Sequence, residues 1–277
     1  MNNFNYFDYN SKKDVIFNNV YLGYFIESNL ISNKNKYDFL DEIYIISLEH
    51  RDDRRIKLLE NLEHHGFYKV KFFIPRKMSD ISKADKQKLN GIFFNNLIDI
   101  KNYSVLGCFV SHLICHKDAF VNKFNNILIL EDDCLLLDIS DDYYNQIKNF
   151  VLHEKFDALY LHHANNTIID THYKADKFIK RNIMKNFDFK RFDIVQKYNN
   201  IKIFSGSALT HFIIFSKNFI NLMNSYLIDI KKFVCLNYDF VLHKFAYTHN
   251  FYTTNNILSS QFESFSDITF SFVNKGF

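Results

Sequence analysis

Three consecutive acids, Glu131-Asp132-Asp133, directly follow the apolar run Ile127-Leu128-Ile129-Leu130. Adjacent carboxylates repel one another unless solvent or a cation relieves them. In an open α/β sheet, ligands bind beyond the carboxyl ends of the strands, where a strand over 127–130 would deliver these acids. A hard divalent ion such as Mn²⁺ or Mg²⁺ matches carboxylate oxygen. On its own the triplet reads equally as a solvated turn or as a cation site, so its neighbours must decide.

Two further groups could carry chemistry. Arg51, Arg54 and Arg55 crowd one short stretch. There their guanidinium groups could hold a diphosphate by paired bonds, or simply be solvated at a helix start. The segment from Gly107 to His116 places Cys108, His112 and Cys115 on one stripe by the three-to-four spacing of a helix. A closed zinc site needs four converging ligands, and no second Cys/His pair of regular spacing follows, so packing is the better reading of the cysteines. His112 is different: a helix beginning at Gly107 would offer free backbone donors to a phosphate beside it.

These residues need elements to position them. Ile43 to Leu48 is short, apolar and rich in β-branching, as a strand buried on both faces requires. Asp52 and Asp53 follow as helix caps, then the spacing Ile56, Leu59, Leu62, with Gly66 as the stop. Val70 to Ile74 reads as a second strand ended by Pro75, and 107–124 as a helix. Strands are expected at 127–130, 158–161 and 212–215, with Ser216 capping a helix that carries Phe219, Ile220 and Met223. Alternating strands and helices imply an α/β fold, a mostly parallel sheet flanked by helices. Residues 1–38 lack a clear period and read as an amino-terminal extension, leaving 39–277 as one domain.

Composition sets the outer limits. With 277 residues, 47% of them hydrophobic, the chain can bury a full core. A net charge of +3 without a basic cluster gives no ground for nucleic-acid binding, although a weakly basic surface suits anionic donors or a peripheral place at a membrane. Four scattered cysteines, Cys108, Cys115, Cys134 and Cys235, make no disulfide framework and favour a reducing compartment. The start MNNFNYFDYNSKK has no basic segment followed by an apolar run, and no stretch of about 20 apolar residues could span a bilayer, so a cytoplasmic place is expected.

The stretches IYIISLEHRDDRR, GCFVSH and ILILEDD, in this order, resemble glycosyltransferase family 25, which holds lipopolysaccharide-type and procollagen galactosyltransferases. Weaker similarity continues through Ser205-Gly206-Ser207-Ala208, Asp239 within NYDFVLHKF, and Gln261 with Ser266-Asp267-Ile268. The resemblance implies a GT-A-like fold with a Rossmann-like sheet. It implies that Ser47, Leu48, Arg51 and Arg54 face a nucleotide, with Gly107 and His112 beside it, and that Asp133 and Asp132 hold Mn²⁺ or Mg²⁺ against a UDP-sugar. Asp132 thereby also counts among the donor-binding residues. It further implies inversion at the sugar, which calls for a base. Asp239 is the candidate base, with a helix cap as its bland reading.

The expected reaction is transfer of a hexose, galactose or glucose, to a hydroxyl of a glycan, a lipid-linked saccharide or a protein. Two other classes use the same features: a metal-dependent phosphoryl or nucleotidyl hydrolase, which needs further inward carboxylates, and an inactive transferase-like binding protein, against which the intact acids argue.

Overall fold

A computed structural model describes residues 7–30, 35–85, 88, 103–161, 196–198, 201–203, 212–228, 238–246, 248–254, 256, 258–261, 264–266 and 271–273. The strands are β1 (Phe7–Phe17), β2 (Val20–Asn29), β3 (Glu42–Ile46), β4 (Lys69–Pro75), β5 (Asn126–Glu131), β6 (Cys134–Leu136), β7 (Ala158–Tyr160), β8 (Gln196–Tyr198), β9 (Ile201–Ile203), β10 (Phe212–Ser216), β11 (Phe251–Thr254), β12 (Ser259–Gln261), β13 (Ser264–Ser266) and β14 (Ser271–Val273). The helices are α1 (Asp52–His64), α2 (Tyr103–Val121), α3 (Asp141–His153), α4 (Lys217–Ile228) and α5 (Tyr238–Ala246).

Among the described residues, one large sheet runs in the order β1-β2-β4-β3-β5-β10-β7-β11-β9-β8. Its parallel pairs are β4 with β3, β3 with β5, and β7 with β11. β10 runs against both of its neighbours, so the helix-flanked α/β sheet is mixed. Residues 1–38, expected as an extension, contribute two strands: β2 pairs antiparallel with β4, and β1 forms the edge.

The central strands are buried on both faces and their side chains alternate between two cores. Tyr44, Phe73, Ile127, Ile129 and Phe215 face α2, α4 and α5. Ile43, Ile45, Phe72, Leu128, Leu130 and Ile214 face α1 and α3. That phase matters at the carboxyl end of β5. Continuing it sends Glu131 to the α2 side and Asp132 to the α1 side.

Three local expectations need correction. Arg51, not an aspartate, is the residue before α1 and makes no side-chain cap; Asp52 and Asp53 lie in the first turn, where acids complement the helix dipole. Ile56 is exposed, because the buried stripe of α1 is Arg54, Arg55, Leu58, Leu59 and Leu62. Ser216 does not cap α4: its hydroxyl is buried and has no hydrogen-bond partner among the described residues. Gly66 does end α1, in the left-handed region at φ 82°, with the Phe67 amide bonding back to the Leu62 carbonyl at 3.0 Å. The segment 205–208, Cys235, Asp267 and Ile268 lie outside the described residues, as does the side chain of Gln261.

Candidate active site

The loop after β3 and the end of β5 meet at the carboxyl edge of the parallel strands. Ile46 pairs with Glu131, and the Asp132 amide donates to the Ile46 carbonyl at 3.1 Å. This places Ser47 beside Asp132. The Ser47 hydroxyl donates to Asp132 Oδ2 at 2.7 Å, and Arg54 Nη1 donates to Oδ1 at 2.9 Å. Both carboxylate oxygens of Asp132 are thus engaged by protein donors in a buried setting. The Asp132 carboxyl lies up at about 6 because burial, and to a lesser degree the Asp133 charge, outweigh the pull of the Arg54 charge and the hydrogen bonds from Ser47 and Arg54. At neutral pH it remains ionised against Arg54.

The other arginines shape the same loop. Arg55 donates to the Leu48 and Glu49 carbonyls, to the Ser47 hydroxyl at 3.1 Å and to Asp52. Arg51 holds Asp53 at 3.2 and 3.3 Å. Of the loop residues expected to face a nucleotide, Ser47, Arg51 and Arg54 are buried and Leu48 is half-buried, while Glu49 and His50 are exposed. Arg55, omitted from the expected site, ties the loop through the Ser47 hydroxyl and the Leu48 and Glu49 carbonyls.

Glu131 lies on the other face, with α2. Its Oε1 is 3.8 Å from Cys108 Sγ and 3.9 Å from His112 Nε2. Candidate ligand atoms of Cys108, His112 and Glu131 all fall within 4.8 Å of one another. His112 Nδ1 is 3.0 Å from the Cys108 carbonyl, so in the neutral ring that nitrogen carries the proton and Nε2 presents its lone pair on the Glu131 side. Burial holds the Cys108 thiol far above its ordinary value, and the charges of Glu131, Asp239 and Asp133 add to this. Asp133 sits between the two faces, with Oδ2 3.9 Å from Arg54 Nη1.

α5 brings Asp239 to this group. Tyr238 stacks on His112 at 4.1 Å between ring centroids and hydrogen-bonds to His116 Nε2 at 2.7 Å. Asp239 follows in the first turn of α5. His116 packs edge-on against Phe215 and Phe219, taking the part of an aromatic residue. Burial lowers its imidazole to about 3, with the nearby His112 as a lesser cause, so it stays neutral.

The structure moves one expected feature. α2 already includes Tyr103, a full turn before Gly107. Gly107 and His112 lie inside the helix and do not present a helix start to a phosphate. Cys115 is core packing, as expected of both cysteines, whereas Cys108 borders the acid group. The strand ends at Glu131, and Asp132 and Asp133 form the turn after it, so the triplet's three carboxylates are directed by a turn that the sequence did not specify.

Among solved structures, the one titled "Crystal Structure of A197 from STIV" is similar with a TM-score of 0.41 at 13% identity, covering 84% of this chain and 94% of that one. No curated protein matches the chain. The model of glycosyltransferase family 25 (LPS biosynthesis protein) matches residues 40–275, which span β3, the arginine loop, α2, the acid triplet and α5. The chain belongs to glycosyltransferase family 25.

Proposed function

We propose that this glycosyltransferase moves a hexose, galactose or glucose, from a UDP-sugar to a hydroxyl of a glycan, lipid-linked saccharide or protein, with inversion and with Mn²⁺ or Mg²⁺. The observation that carries the reading is the division of the acid triplet: Asp132 is held by Ser47 and Arg54, while Glu131 turns to Cys108 and His112 and Asp133 lies 3.9 Å from Arg54. Adjacent carboxylates are costly unless a cation offsets their repulsion, so the donor set fits a hard divalent ion. Asp133 and Glu131 are the proposed ligands, with Asp132 setting the position of both from behind.

Such an ion would neutralise the diphosphate charge as the sugar bond breaks. The chain's own contributions are separable from it. Arg55 and Arg51 fix the loop from Ser47 to Asp53, so that Leu48, Glu49 and His50 present a preformed edge to the nucleotide. Tyr238, stacked on His112, sets the first turn of α5 and with it Asp239, the proposed base for the acceptor hydroxyl.

The test is to incubate the purified chain with Mn²⁺ and a panel of UDP-sugars and follow UDP release without acceptor. Slow release from one donor names the sugar. No release from any donor, alongside hydrolysis of a simple phosphoester, would replace the reading by a metal-dependent hydrolase.

A further inference from the structure

We infer that His64, His65 and Asp138 form a second metal site, for a borderline divalent ion of the Zn²⁺ class, where the end of α1 meets the segment after β6. Candidate ligand atoms of the three residues lie within 4.8 Å of one another. Asp138 Oδ1 is 3.5 Å from His64 Nε2 and 4.0 Å from His65 Nε2. Both separations are long for hydrogen bonds. They suit ligands that share an ion: with bonds of about 2.0 to 2.2 Å, tetrahedral neighbours lie about 3.4 Å apart.

The local structure prearranges the group. The two imidazoles stand nearly perpendicular, at 84° with centroids 5.1 Å apart, so their edges converge without stacking. Asn61, one turn earlier on α1, locks the two elements together: its Nδ2 donates to the Leu136 carbonyl at 3.2 Å, and its Oδ1 accepts from the Leu136 amide at 2.8 Å. Asp138 and His64 are largely exposed, leaving an entry path and positions for water. The carboxyl end of a helix also favours a cation.

Two imidazoles and one carboxylate select Zn²⁺ over Mn²⁺, so this ion would differ from the one proposed at the acid triplet. Its effect would be mechanical. α1 carries Arg54 near its other end, and β6 begins one residue after Asp133. An ion joining α1 to the end of β6 would brace both supports of the acid motif.

The experiment uses the full chain, stripped of metal, titrated with Zn²⁺ by calorimetry and with Co²⁺ by visible absorption. A site that persists in Glu131→Gln is expected in wild type, with a rise in melting temperature on Zn²⁺ binding. His64→Ala and Asp138→Asn, both at exposed positions, should weaken it about tenfold or more and remove the thermal shift. Glu131→Gln, at the acid motif, should retain it. Unchanged binding in the His64 and Asp138 variants, loss in Glu131→Gln alone, or no binding to wild type would each overturn the assignment.

Discussion

Arg54 donates to Asp132 Oδ1 at 2.9 Å, and both side chains are buried. Removing one partner of such a pair strands the other charge, which costs about 3 kcal/mol or more. Asp132→Ala should therefore lower unfolding free energy by about that much. Asp133→Asn should leave stability nearly unchanged and abolish Mn²⁺-dependent donor binding, because an amide keeps the shape without the charge. Chemical denaturation beside donor titration separates the two, and equal destabilisation by both variants would refute the division of the triplet.

Asp239 is tested by the contrast between binding and transfer. As a base it should be dispensable for the donor, so Asp239→Asn should bind the UDP-sugar with near-original strength while transfer falls by about 10²-fold or more. If Asp239 only supports the first turn of α5, turnover survives with a small change in melting temperature. Rates and calorimetry on one sample decide between them.

His116 makes stability depend on pH in a set direction. Its folded pKa, about 3, lies below the ordinary value of 6.5, so the unfolded chain binds the extra proton between those values. The contribution is present in full above pH 6.5 and is lost as pH falls towards 3, at about 1.4 kcal/mol per pH unit. His116→Phe should be less stable at pH 7, having lost the bond to Tyr238, but should show a shallower fall from pH 6.5 to 4.5. Parallel slopes for the two proteins would refute the assignment.

The two cysteines of α2 should behave differently. Cys115 is wholly buried among apolar neighbours, so Cys115→Ala should cost about 1 to 3 kcal/mol while leaving turnover per folded molecule intact. Cys108 is partly exposed, yet burial and the surrounding carboxylates keep its thiol protonated. Peptide mapping after iodoacetamide treatment at neutral pH should find Cys108 modified more slowly than an ordinary thiol.

The local elements were legible because their signals are local. Apolar β-branched runs at 43–46 and 127–130, the glycine at 66 and the three-to-four spacing of 109–114 each specify an element without reference to the rest of the chain. Family membership followed from three such segments in order. The acid triplet itself was also plain.

Which carboxylate faces which helix was not. A strand apolar at every position from Ile127 to Leu130 carries no phase, since both faces are buried, and only the cores on either side show that Asp132 meets α1 while Glu131 meets α2. The arginines of α1 resemble solvated residues until Asp132, 78 positions away, is brought to Arg54. The same holds for His116 and Tyr238, 122 positions apart, whose bond ties α5 and Asp239 to α2. The sequence alone determined the elements and the chemistry available to them. Long-range packing decided which charges were left to face a ligand, because burial and pairing are properties of neighbours that the chain assembles only on folding.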